Sequence, residues 1–159
     1  MTTVHDLADY IIVKLDEAKI GLSILKLQKL VYYAQAWRFA LAEKSLFEGK
    51  FQAWVHGPVN RQLYDRFSVA HSMYDMLSLH DVKPDFDLVA IPEEDRVHVD
   101  EILEAYARFS GPQLESMTHG EEPWIRARGD RKPSERCEVE IDEALMASFY
   151  KKLLAEAEA

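Results

Sequence analysis

From Leu25 to Leu41 the chain places apolar residues on two separate sides of one helix. At 100° per residue, one stripe holds Leu27, Leu30, Val31, Ala34, Trp37 and Leu41. The other holds Leu25, Tyr32, Ala36 and Phe39, bordered by Gln28 and Gln35. A helix that faces a core on one side and water on the other needs a single stripe. Two stripes admit two arrangements: a central helix packed on both sides, or a helix that reserves one face for a partner. Lys26, Lys29 and Tyr33 read as the polar edge of this helix, the lysines solvated and their stems lying over apolar neighbours.

Around this segment the sequence predicts a mainly α fold, a compact helical bundle with a central two-faced helix and a minor, short β element. Thr3 is placed to cap a first helix from about Val4 to Glu17, and Ser23 to cap the two-faced helix to about Ala42. Phe51, Ala53 and Val55 alternate with polar or bulky neighbours as in a short strand. Gly57-Pro58 then ends that strand, with Pro58 suited to the first turn of a helix carrying Val59, Leu63, Tyr64 and Phe67 inward. Residues 68–82 fit a helix or a packed loop, and Phe86 to Leu88 fits a second strand that would pair with the first. Pro92-Glu-Glu-Asp95 starts a helix, Ser110 with Gln113 forms a capping box for a short helix to about Thr118, and Pro123 opens another through Arg128. Residues 129–138 are polar and loop-like. A last helix from about Asp142 uses Leu145, Phe149, Leu153 and Met146, and ends in a frayed Ala/Glu tail. The expectation is one domain over residues 1–159, with its core at about 4–154.

Composition narrows the functional classes. Acids outnumber bases 28 to 19, a net charge of −9, so the chain is poorly suited to neutralising phosphates and nucleic acid is an unlikely partner. An acidic surface better steers a basic partner. No stretch approaches the roughly 18–20 apolar residues of a membrane span. The acidic N-terminal segment does not resemble a signal peptide. One cysteine, Cys137, excludes an internal disulfide and suits a reducing cytoplasm.

Two short blocks carry most of the remaining information. Trp54-Val-His-Gly-Pro-Val59 combines a large aromatic, an imidazole and a turn. It either buries Trp54 in the core or forms a corner that presents Trp54 and His56 to a partner. Thr118-His-Gly-Glu-Glu-Pro-Trp124 joins two short helices, with His119 bonded within the turn and Trp124 closing a cluster over the Trp54 corner. Arg128 is expected to pair with a buried carboxylate, Glu121 or Glu122. His56, His119 and Glu121 could supply metal ligands or acid–base groups, yet no HExxH or paired CxxC spacing supports a metal, and no cofactor motif occurs.

LKLQKLVYYAQAW at Leu25–Trp37, the AWVHGPV block and MTHGEEPWIRAR at Met117–Arg128 together resemble the Panacea domain, typified by SocA-like antitoxins of bacterial toxin–antitoxin pairs. The resemblance spans about Val4 to Tyr150 and marks Gly57, Pro58, His119, Pro123, Trp124 and Arg128 as its structural signature. It implies a non-enzymatic cytoplasmic antitoxin that binds a cognate protein toxin encoded by the adjacent gene, and also a proteolytic adaptor that delivers the toxin to ClpXP. Tyr32, Phe39, Trp54, His56 and Tyr64 are the expected partner contacts. The alternatives are a general protein-interaction module, or a hydrolase or metal-dependent enzyme centred on His56, His119 and Glu121.

Overall fold

The computed structural model describes residues 2–69 and 71–159; Met1, and Ala70 within the ambiguous stretch 68–82, lie outside the described residues. Local capping chemistry sets most helix starts. Helix α1 (Val4–Glu17) begins with a reciprocal Thr3–Asp6 capping box, and α2 (Ile24–Ala42) begins where Ser23 accepts from the Lys26 N–H. Glu43, in the left-handed region at φ 54°, ends α2.

The two stripes of α2 are resolved in favour of a central helix. Its flanks are covered by α1, by α4 (Glu93–Tyr106), by α5 (Gly111–His119) and, most extensively, by α7 (Glu143–Glu158). Leu27, Leu30, Val31 and Ala34 on one side and Leu25, Tyr32 and Ala36 on the other are all buried. Truncating a fully buried leucine such as Leu30 would remove about 2–5 kcal/mol. Leu41, beyond this packed region, is 54% exposed.

The β element departs from expectation. Strand β1 (Gln52–Trp54) pairs antiparallel with β2 (Gly57–Val59), with Ala53 opposite Pro58. Gly57-Pro58 therefore belongs to a hairpin, and helix α3 (Arg61–Ser68) starts later, where Asn60 accepts from the Leu63 N–H. On its other side β1 meets the 139–141 segment: Ala53 N–H donates to the Val139 carbonyl at 2.9 Å, and Ile141 N–H to the Phe51 carbonyl at 2.7 Å. The expected strand at Phe86–Leu88 is instead irregular backbone leading into a 3-10 turn, Leu88–Ala90, because the Asp87 carboxylate captures the Val89 N–H. In the stretch 68–82, Ser68 ends α3 and the other described residues form loop with one 3-10 turn, Leu79–Asp81.

Helix α7 also turns differently from its apolar pattern. Met146 and Tyr150 point inward, whereas Leu145 and Phe149 are half-buried and Leu153 is 37% exposed. Tyr150 takes the inner position because its hydroxyl finds buried partners, Tyr32 Oη at 3.1 Å and Glu121 Oε1 at 2.8 Å. Helix α6 (Glu122–Arg128) joins α5 to the polar 129–138 loop. Helix α1 is tied in by the Arg66–Asp9 pair at 2.5 Å and by Tyr10 donating to Asp100 at 2.6 Å. Among the described residues no helix is long and apolar enough to cross a membrane.

Candidate functional site

The hairpin corner is built over a lysine. Lys29 is fully buried, and its Nζ donates to the Pro58 carbonyl at 3.0 Å. Gly57 sits at φ +95°, and a Cβ there would lie 2.6 Å from Lys29 Cε and 2.9 Å from Thr118 Oγ1. Glycine is needed for both reasons: L side chains rarely adopt that backbone, and the lysine occupies the space. Burial pushes the Lys29 pKa down to about 7, against the opposing influence of Glu115. The expected solvated polar edge therefore does not exist. Lys26 and Tyr33 are buried too, Lys26 donating to the Ala107 carbonyl and Tyr33 to Glu121.

The same use of polar side chains recurs along α2. Gln28 donates to the Asn60 carbonyl at 3.1 Å and accepts from the Asn60 N–H at 2.8 Å. Gln35 does likewise for the following loop, donating to the Phe47 carbonyl and accepting from the Leu46 N–H. Each amide thus stands in for a missing strand or helix neighbour, satisfying main-chain groups that burial would otherwise strand.

The second block holds the hairpin from the other side. Trp124 Nε1 donates to the Trp54 carbonyl at 2.8 Å, so Trp124 does close over the Trp54 corner. His119 stacks on Trp124 with ring centroids 4.1 Å apart. Burial lowers the His119 pKa, against the opposing influence of Glu115 and a hydrogen bond with the Val55 main chain. Arg128 does not pair with a carboxylate. Its guanidinium donates to the carbonyls of Ala53 (3.0 Å), Lys132 (2.9 Å) and Glu135 (2.6 Å), fastening the 129–138 loop to β1. Glu121 is engaged elsewhere, accepting from Tyr33 and Tyr150, and burial raises its pKa against those two bonds.

The expected partner residues separate into interior and rim. Tyr32 is 1% exposed and packs edge-on against Phe51 and Tyr33, so it is a core residue. Phe39 is half-buried beside α7. Trp54, His56 and Tyr64 do come together at the surface. They share a cleft of about 420 Å³ with Arg61 and Arg136. Trp54 and Tyr64 meet edge-to-face at 4.8 Å, and the Arg61 guanidinium lies 5.4 and 5.9 Å from their centroids. His56 Nδ1 is 3.1 Å from Glu115 Oε1, and its ring faces Tyr74 at 6.2 Å. Tyr74 and Met76, 61% and 59% exposed, extend this rim. Nothing local in the sequence of the 68–82 stretch marks either side chain as outward-facing. Of the candidate enzyme centre, His56 pairs with Glu115 and Glu121 accepts from Tyr33 and Tyr150, while His119 Nε2 is buried without a hydrogen-bond partner among the described residues. Among the described residues no group of three or more His, Cys, Asp or Glu is placed to hold a metal ion.

A helical scaffold with a polar, loop-binding interior and an exposed rim of Trp, Tyr, Met and Arg has the composition of a protein-binding surface. The comparisons give the family. A family model described as "Antitoxin SocA-like, Panacea domain" matches residues 27–125, more than half of the chain, and the chain belongs to that family. It is 30% identical over 111 residues to Antitoxin SocA of Caulobacter vibrioides, covering 66% of this chain and 59% of that relative. No solved structure matches the chain.

Proposed function

We propose that this protein is a cytoplasmic antitoxin that binds a cognate protein toxin through the rim formed by Trp54, His56, Tyr64 and Tyr74. Membership of the SocA-like Panacea family supports the antitoxin role and carries the proposal. The rim supports the choice of surface, because it gathers side chains of the kind that dominate binding energy, with a half-buried tryptophan at its centre. The toxin is the product of the adjacent gene. Binding neutralises it either by covering its active surface or by delivering it to a ClpXP-type protease. Delivery needs a second surface on this protein for the protease.

The test is co-expression of this chain with the adjacent gene product in cells with and without ClpXP. Rescue in both backgrounds with a stable complex means occlusion. Rescue only with the protease, with the toxin disappearing, means delivery. Tyr64→Ser and His56→Ala should leave the fold intact and weaken rescue. Absence of toxicity and of any complex would sink the antitoxin reading, and full rescue by the double variant would sink the choice of surface.

A further inference from the structure

A second cleft, of about 700 Å³, opens between the start of α2, the turn from α4 to α5 and the loop carrying Tyr74 and Met76. Its chemistry differs from that of the molecule as a whole. On a chain of net charge −9, no residue lining this cleft carries a carboxylate, while two, Lys26 and Arg108, are cationic. Lys26 is 5% exposed. Its Nζ donates to the Ala107 carbonyl at 2.6 Å, and it makes no ion pair among the described residues. An ammonium has three donors, and a buried cation facing only a neutral carbonyl is under-compensated. Burial lowers its pKa with no nearby carboxylate to oppose the effect. The Arg108 guanidinium lies 4.6 Å from the Phe109 ring and likewise forms no ion pair among the described residues.

Two helices also begin at this point. A Cβ on Gly111, the first residue of α5, would lie 3.2 Å from Ser23 Oγ and 3.3 Å from Lys26 N, at the first turn of α2. Both positive helix ends therefore reinforce the field of the two side chains. The walls are apolar: Ile20, Tyr74 and Met76 are 37%, 61% and 59% exposed. Tyr74 also faces His56, so the cleft continues the hairpin rim.

We propose that this cleft docks a segment of a partner protein that carries one acidic side chain flanked by apolar ones. The carboxylate meets Lys26 and Arg108, and the apolar neighbours cover Ile20, Tyr74 and Met76. A single carboxylate suits the site better than a polyanion, which the surrounding negative charge would repel. The inference goes beyond the antitoxin reading, because it fixes the chemistry of a docking segment whichever protein carries it.

The experiment titrates the full chain with the peptide acetyl-Leu-Glu-Phe-Leu-amide, its Gln analogue and inorganic phosphate, following backbone amide shifts by NMR. The Glu peptide should shift the amides of Ser23, Lys26, Gly111 and Gln113 saturably, and the Gln analogue should bind at least about tenfold more weakly. Lys26→Met and Arg108→Gln should each weaken the Glu peptide to a similar degree. Arg108 is exposed, so its variant keeps the test valid should Lys26→Met fail to fold. Shifts absent from these amides, or equal binding of the Glu and Gln peptides, would overturn the proposal. So would phosphate binding as tightly as the peptide, which would make the cleft an inorganic-anion site. No toxin takes part, so failure here and failure of the toxin rescue are separate results.

Discussion

Lys29→Met removes an ammonium that the fold buries without a close counter-ion, and the pH dependence of stability reports that burial. The unfolded lysine titrates at 10.5, and the folded one at about 7. That difference corresponds to roughly 5 kcal/mol between the charged and neutral forms. Between these two values the unfolded chain holds a proton that the folded chain has released. Stability therefore rises with pH across that window, by about 1.4 kcal/mol per pH unit. From pH 7 to 9.5 the wild type should gain about 3 kcal/mol from this residue. His5, His98 and His119, whose pKa values burial lowers, also make stability rise with pH, but below about 6.5, outside the window. Above pH 10 the sign reverses. Burial holds Tyr32, Tyr33 and Tyr150 protonated while their unfolded counterparts ionise. Urea unfolding at intervals from pH 7 to 9.5 measures the slope. Lys29→Met keeps the length and apolar stem, leaves the Pro58 carbonyl without its donor at a cost of about 1 kcal/mol, and should lose most of the rise. A smaller slope remains from Lys26, which burial shifts in the same direction. A wild type that is flat over this range, or a Lys29→Met variant that rises as steeply as the wild type, would refute the reasoning.

Gly57→Ala must place a Cβ against Lys29 on a left-handed backbone; thermal melting should show a loss of at least about 2–3 kcal/mol, roughly 5–10 °C for a chain of this size. Arg128→Met leaves three carbonyls without their donor, for about 3 kcal/mol, and should speed amide exchange at Ala53 and Ile141 as the 129–138 loop comes away from β1. Glu121→Gln keeps an acceptor for Tyr33 and Tyr150 and should remain within about 1 kcal/mol of wild type at pH 7. Glu121→Ala, which strands the Tyr33 hydroxyl and leaves that of Tyr150 with Tyr32 alone, should lose about 2–4 kcal/mol in the same unfolding assay.

Elements whose cause is local were legible in the sequence. Thr3, Ser23, Ser110 and Asp142 cap the helices that follow them because each reaches a main-chain N–H within three residues. The doubled stripe of α2 marked two faces to be covered, but not whether the second meets this chain or a partner, nor which neighbours cover it. Features whose partner is a distant main-chain group were illegible. Lys29, Gln28, Gln35 and Arg128 all bond carbonyls, and a carbonyl has no letter in the sequence. Lysine and arginine then default to solvent or to a carboxylate partner, and both defaults fail here. The hairpin was missed for a related reason. Pro58 reads as a helix opener, whereas it lies in a short edge strand whose carbonyl is taken by Lys29 rather than by another strand.

The three sequence blocks combine interior and rim: many of their polar residues are buried, whereas Trp54 and His56 of the second block stand on the rim. Their polar residues form buried bonds of fixed geometry: Lys29 beneath Gly57, Trp124 on the Trp54 carbonyl, Arg128 on the Ala53 carbonyl. Changing one strands its partner inside the protein, for about 1–3 kcal/mol per group. Substitutions at exposed positions such as Tyr74 and Arg136 typically alter stability by no more than about 0.5 kcal/mol. Stability therefore holds the interior to a narrow set of residues and leaves the rim free to suit a partner. Two proteins can then share this scaffold and differ at the rim. Exchanging the rim residues between them should transfer partner choice, whereas exchanging the buried blocks should change stability and leave partner choice in place.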